Sequence, residues 1–156
     1  MRILFVCDGN ICRSPFAAAY LRDRAARLGL SNVVVDSVGL LGINGSPAAP
    51  FSIQVAAEFG LELSRHRSRG VAPSDIRIAD MIIVMTSLQR EALARRFPSG
   101  CTNRLLVRAF EQGASPRTGA PGLDDPVQGP IEGYREAFAI MRTCLDHLVS
   151  HLLNPA

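Results

Sequence analysis

The run Cys7-Asp8-Gly9-Asn10-Ile11-Cys12-Arg13-Ser14-Pro15 sets a thiol and a guanidinium apart by five residues, a spacing that lets one turn bring both to the same cluster of oxygens. With four cysteines and 17 arginines in 156 residues, such a spacing arises by chance with a probability of about 0.4, so the rest of the loop must carry the reading. A phosphate dianion needs several donors pointing inward, and successive backbone N–H groups in a tight loop that ends at a helix N-terminus supply them. Gly9 and Asn10 are residue types that tolerate positive φ, as such a loop demands. Arg13 adds a bidentate fork, and the same donors favour Cys7 as a thiolate nucleophile. The Ser14 hydroxyl is placed to donate a hydrogen bond to that sulfur when it leaves. In other surroundings a cysteine closing a buried strand is a packing residue. Here nucleophile, anion cradle and leaving-group donor fall within eight residues, Cys7 to Ser14, with Asp8, Gly9, Asn10, Ile11, Cys12 and Arg13 as the phosphate-binding loop.

Expelling an alkoxide or phenoxide also needs a proton donor. Asp124 and Asp125 are candidates, and in an extended segment their side chains point to opposite sides, so one of the two faces the cysteine. An Asp-Asp-Pro run in other surroundings is a turn. Cys12 has two readings: a disulfide partner that shields Cys7 from over-oxidation, or a packing residue. Cys101 and Cys144 are read as packing cysteines, and His147 and His151 as surface histidines.

The elements that must position these groups follow from periodicity. Ile3 to Val6 reads as a buried strand ending at the loop, and Ser14-Pro15 as a helix start, the serine as N-cap, with the helix running to Leu28 and stopping at Gly29. Val33 to Val35, flanked by Asp36 and Ser37, reads as a second strand and Phe51 to Phe59 as a second helix. Met81 to Met85 is a third strand, Ser87 to Phe97 a helix and Leu105 to Val107 a fourth strand. Glu111 to Pro130, rich in glycine and proline, is a candidate functional loop. Ile131, Tyr134, Phe138, Met141, Leu145, Leu148 and Leu152 form one stripe of a long terminal helix facing the core. Strands alternating with helices predict an α/β fold: a three-layer, doubly wound, four-stranded parallel sheet with helices on both faces, formed by residues 1–156 as a single domain. Ligands in such sheets sit at the carboxyl ends of strands near the switch point, where the Cys7 loop is.

Composition removes several function classes. All 17 basic residues are arginine, which excludes a Schiff-base lysine and the lysine of a Walker-type nucleotide loop. The net charge of +3 is dispersed, and Arg65, Arg67 and Arg69 are too few for a nucleic-acid arm and read as a solvated face. Arg2 to Val6 is far too short for a signal-peptide core or a membrane span, and four cysteines without such a segment suit a reducing cytoplasm. Thiolate attack assisted by an aspartate needs no metal or other cofactor.

The N-terminal run Val6-Cys7-Asp8-Gly9-Asn10-Ile11-Cys12-Arg13-Ser14-Pro15 resembles the signature of the low-molecular-weight protein tyrosine phosphatases, bacterial type. The resemblance extends through Val35-Asp36-Ser37 with Gly39, through Gly60 to Arg69, which resembles the bacterial Gly-Ile-x-x-Ser-x-His-x-x-Arg segment, and through Asp80 to Met85 and Asp125-Pro126. It implies phosphotyrosine in a protein as substrate, a phosphocysteine intermediate and inorganic phosphate as product. It selects Asp125 as the acid, because the family's acid directly precedes proline, and favours the redox reading of Cys12. It also places His66 and Ser37, with Asn10 and Ser14, in a supporting hydrogen-bond network.

Two positions depart from that pattern. The family usually has an uncharged residue where this chain has Asp8, and a carboxylate beside a dianion weakens binding unless it points to solvent or pairs with an arginine. Many relatives carry an aromatic residue at the position of Val127, and the substrate wall expected from Leu40, Leu41, Ile43 and Val127 is aliphatic. Some bacterial relatives act on phosphoarginine and tend to have threonine at the position of Ile11, so isoleucine favours tyrosine. A catalytically weak phosphate-binding module also fits the loop. An arsenate reductase fits least well, because the further cysteines it needs are missing from Thr86 to Arg96.

Overall fold

The protein is described by a computed structural model over residues 1–111 and 119–154, so residues 112–118 of the candidate loop Glu111 to Pro130 lie outside the described residues. Four parallel strands, β1 (Arg2–Cys7), β2 (Val34–Gly39), β3 (Met81–Val84) and β4 (Arg104–Leu106), pair in the order β2-β1-β3-β4. Among the described residues five α-helices accompany them, α1 (Arg13–Arg27), α2 (Pro50–Glu58), α3 (Pro73–Ile78) and α4 (Ser87–Arg96) between strands and α5 (Ile131–Leu153) after the last.

The two faces of the sheet are legible in β1. Ile3, Phe5 and Cys7 enter one apolar cluster with residues of α1, α2 and α5, including Phe16, Leu21, Val55, Phe138 and Leu145. Leu4 and Val6 enter the other, with Ile76 of α3 and Leu93 of α4. This alternation is the period of two of an extended chain, and because both faces are covered β1 is apolar from Ile3 to Cys7. Phe16 stacks on Phe138 with ring centroids 3.9 Å apart, joining α1 to α5.

The chain winds to one side of β1 to make β2, then returns to the other side to make β3 and β4. The reversal leaves a crevice at the carboxyl end of β1, the place where ligands bind in open α/β sheets. β2 runs four residues beyond the expected Val35, to Gly39, because its partner β1 continues to Cys7 and the register pairs Cys7 with Gly39. Helix α3 was not expected from periodicity. It has six residues with one buried, Ile76, and its signal is local: Pro73 in the first turn and Asp75 accepting from the Ala72 N–H at 2.8 Å.

Candidate active site

β1 ends on Cys7, and the chain curls through residues 8–12 into α1. Helix α1 begins at Arg13 with Cys12 as N-cap, so Ser14 lies inside the first turn and is not the expected cap. Its hydroxyl is engaged elsewhere: Oγ is 3.0 Å from Cys7 Sγ and accepts from Asn10 Nδ2 at 2.9 Å. The hydroxyl proton has two acceptors in reach, Val38 O at 3.4 Å and the Cys7 sulfur at 3.0 Å, and a thiolate at Cys7 is the stronger of the two.

Asn10 organises the loop. It is fully buried at φ 56°, and its amide nitrogen donates to Ser14 Oγ and to Ser37 Oγ, each at 2.9 Å, while Oδ1 accepts from the Arg69 N–H at 3.0 Å. The loop carbonyls are turned outward. Those of Cys7, Asp8 and Ile11 accept from the N–H groups of Leu40, Leu41 and Ala49 at 3.0, 3.0 and 2.8 Å. The Asn10 carbonyl accepts from His66 Nε2 at 2.7 Å, which fixes the proton on that nitrogen. Burial lowers the His66 pKa, keeping the ring neutral and suited to this bracing role. With its oxygens directed away, the loop leaves its N–H groups for the concave side.

Arg13 is 1% exposed. Nη1 donates to Leu123 O at 2.7 Å, and Nη2 donates to Asp8 Oδ2 at 3.1 Å and Asp125 Oδ2 at 2.9 Å. Nε has no partner. The Leu123 N–H donates to Met85 O at 2.8 Å, so the loop that carries Asp125 is docked at the end of β3 and brings Asp125 to the guanidinium from 112 residues away in sequence. Asp125 Oδ1 accepts from the Val127 N–H at 3.2 Å, an Asx turn that orients the carboxylate. Asp124 is exposed and does not reach Arg13 by hydrogen bond.

Asp8 is held by two partners. Besides Arg13, its Oδ1 accepts from Gln89 Nε2 at 3.1 Å, and the Gln89 Oε1 in turn accepts from the N–H groups of Met85 and Thr86 at 2.8 and 3.2 Å. Gln89 was not singled out in the sequence, although Thr86-x-x-Gln89 is a capping box for α4 and a signal that its side chain turns back to the end of β3. Leu88, beside it and exposed, borders the same cleft, as does Leu40. Leu41 and Ile43 are also exposed, and Ile43 and Ile11 both approach Gly9 at the loop's rim. Val127 packs against the main core and, with Asp124, Asp125 and Pro126, lines a second cavity of about 370 Å³.

Cys12 is buried, and burial pushes its thiol up to about 12; Cys144, buried in the main core, is pushed up to about 11 by the same cause. Cys101 packs against the second cluster. Two surface readings are corrected. His147 is half-buried with Nδ1 2.8 Å from Phe110 O, because α5 packs on the short turn Val107–Phe110. Arg69 does not belong to a solvated arginine face: it bridges Asp36 at 2.6 Å and Asp75 at 3.0 Å, tying β2 to α3 beside its own bond to Asn10. Arg65, Arg67 and His151 are exposed. Among the described residues no group of three or more His, Cys, Asp or Glu side chains is arranged to hold a metal, and no helix is long and apolar enough to cross a membrane.

Residues 2–155 match the family described as low molecular weight phosphotyrosine protein phosphatase. The chain belongs to this family. It is 36% identical over 151 residues to a protein-arginine-phosphatase of Geobacillus stearothermophilus, covering 97% of this chain and 95% of that one. It is 33% identical over 150 residues to a probable low molecular weight protein-tyrosine-phosphatase of Ralstonia solanacearum, EpsP, covering 96% and 94%. Among solved structures, the arginine phosphatase YwlE, a cysteine-to-serine mutant with phosphorylated active site serine, superposes with a TM-score of 0.90 at 26% identity, covering 99% of this chain and 97% of that one. The four-stranded doubly wound sheet is thus the fold of this phosphatase family, and the Cys7 loop lies at its switch point.

Proposed function

We propose that the protein is a cysteine-dependent phosphomonoesterase that removes the phosphoryl group of phosphotyrosine in proteins through a phosphocysteine intermediate. The observation that carries this reading is the Arg13 Nε–H, buried and without an acceptor on a guanidinium whose other nitrogens are already engaged. A buried donor left unpaired costs about 1–3 kcal/mol. The Cys7–Ser14 pair, 3.0 Å apart in the same loop, further supports a site that receives an oxyanion.

In the first step the Cys7 thiolate attacks phosphorus. The S–P bond forms as the P–O bond to the leaving group breaks, and Asp125 gives its proton to the departing oxygen. Arg13 and the loop N–H groups follow the charge on the equatorial oxygens. In the second step the Asp125 carboxylate takes a proton from water, whose oxygen attacks phosphorus. The S–P bond breaks, Ser14 donates to the returning thiolate, and inorganic phosphate leaves. No metal or other cofactor enters this scheme. Ile11, Leu41, Ile43, Leu40 and Leu88 offer an aliphatic border against which an aryl ring packs. The remaining elements of the reading are a single domain over residues 1–156, a cytoplasmic setting, a phosphorylated protein as partner, no nucleic-acid partner, and Cys12 as the oxidative partner of Cys7.

A second reading, phosphoarginine as substrate, is favoured by one observation: the Asp8 carboxylate at the mouth suits a guanidino group better than a phenol ring. The relative from Geobacillus stearothermophilus named for arginine dephosphorylation agrees with it. Turnover of phosphotyrosine, phosphoarginine and phosphoserine peptides ranks the two readings. Cys7→Ser is expected to lower turnover of every substrate by at least about a thousandfold. Asp125→Asn is expected to slow a poor leaving group by about a hundredfold or more and a good one much less. Turnover surviving in Cys7→Ser would contradict the proposal, and binding of phosphate without turnover by the wild type would favour a phosphate-binding module.

A further inference from the structure

The geometry points to Asp8, fixed in place by Gln89, as a specificity-determining residue that selects substrates carrying a cationic N–H group beside the phosphoryl group. The inference rests on the phosphatase reading above and goes on to the chemistry of the group attached to phosphorus.

The Nη2 of Arg13 has two hydrogens, and both are taken, one by Asp8 Oδ2 at 3.1 Å and one by Asp125 Oδ2 at 2.9 Å. Nη1 is held by Leu123 O, and Nε alone is unpartnered. A phosphoryl group that binds along the Nε and Nη2 edge, as the bidentate geometry of a guanidinium favours, must displace one carboxylate from Nη2. Asp125 stands on a loop and must in any case turn to the leaving oxygen to serve as acid. Asp8 cannot withdraw in the same way. Its backbone is part of the cradle, its carbonyl accepts from the Leu41 N–H at 3.0 Å, and its second carboxylate oxygen is bonded to Gln89, which is 3% exposed and itself tied to two backbone N–H groups at the end of β3.

A bound dianion therefore meets a fixed carboxylate that has lost part of its share of Arg13. Like charges this close oppose binding, and the opposition is strongest for a substrate that brings no compensating charge. Among the described residues, the cleft of about 450 Å³ that Asp8 faces is lined by two arginines, Arg13 and the exposed Arg95, which stands 3.9 Å from Glu91, against three carboxylates, Asp8, Asp124 and Asp125. A cation from the substrate restores the balance. Two sources share that chemistry, the guanidino nitrogens of a phosphoarginine and an arginine flanking a phosphotyrosine.

The test compares wild type and Asp8→Asn on four substrates: p-nitrophenyl phosphate, a phosphotyrosine peptide with alanine flanks, the same peptide with arginine flanks, and a phosphoarginine peptide. Wild type is expected to prefer at least one cationic substrate over the matched neutral one by roughly tenfold in kcat/KM. Asp8→Asn is expected to bring that ratio close to one by lowering KM for the neutral substrates. Which ratio collapses, flank or phosphoarginine, identifies the source. A readout independent of turnover is inorganic phosphate binding, followed by calorimetry, which Asp8→Asn should tighten by roughly tenfold. A wild-type ratio near one, a ratio unchanged in Asp8→Asn, or phosphate affinity unchanged by the substitution overturns the inference. Absence of Cys7-dependent turnover of p-nitrophenyl phosphate in both proteins would instead strike the phosphatase reading, while the phosphate affinities would still decide the role of Asp8.

Discussion

Arg13 ties the site together: one nitrogen on Leu123 of the loop that carries Asp125, one shared between Asp8 and Asp125, and one buried without a partner, which the proposed function assigns to a ligand. The residues that were legible in the sequence, Cys7, Arg13, Ser14 and Asn10, are those whose relation is set within one loop, where chain geometry alone brings them together. Asp125 was chosen over Asp124 only by resemblance, and its approach to Arg13 depends on where the loop docks on β3. For Gln89 the capping box Thr86-x-x-Gln89 announces only that the side chain turns back to the end of β3, and the contact with Asp8, 81 residues away, is decided by the packing of α4 beside the loop after β1. His66 gives a prediction at this scale. In the folded protein burial lowers its pKa, whereas in the unfolded chain it titrates near 6.5. Below that pH the unfolded chain binds the proton more readily, so stability is full above about 6.5 and declines as pH falls through the window toward the lower, folded value. Denaturant midpoints of wild type and His66→Gln from about pH 7.5 down to about 5 are expected to converge on acidification, because only the wild type carries this titration. Midpoints separated by a constant amount would contradict the bracing role of the neutral ring.

At the scale of elements, periodicity placed the four strands and four of the five helices, because both faces of the sheet are covered and each element carries a clear apolar pattern. What it did not place was short or depended on a partner. Helix α3 has too few residues for a period, and the end of β2 at Gly39 is decided by pairing with Cys7. Gly39 also supports the loop after β1. A Cβ there would lie 2.8 Å from Asp8 O and 3.0 Å from Asn10 N, against backbone that cannot swing aside. Gly39→Ala is therefore expected to lower kcat/KM by about a hundredfold through displacement of the cradle, with a stability loss of about 1–3 kcal/mol. Steady-state kinetics with thermal melts separates the two, and full activity in a folded variant would show that the loop does not rest on this contact.

For the whole molecule, one crevice is fed from distant parts of the chain: the loop after β1, the segment around His66, the start of α4 and the loop before α5. Their convergence at the switch point follows from the strand order, which alternation of strands and helices predicts only as a class and which pairing of β1 with both β2 and β3 decides. Because the site is braced from all of these directions, occupancy should stabilise the whole fold. Phosphate at about a hundred times its dissociation constant is expected to add about 2.7 kcal/mol and raise the melting temperature. Arg13→Lys should lose most of that gain, since a point charge does not replace a planar fork, and an equal gain in both proteins would place phosphate elsewhere. The most direct measurement is rapid quenching of Asp125→Asn during turnover of an aryl phosphate with a good leaving group, followed by peptide mass spectrometry. Transfer to sulfur then needs little acid help while hydrolysis lacks its base, so a phosphoryl group is predicted to accumulate on the peptide containing Cys7. Turnover that continues with no phosphoryl group on that peptide, or with one on another residue, would contradict the account.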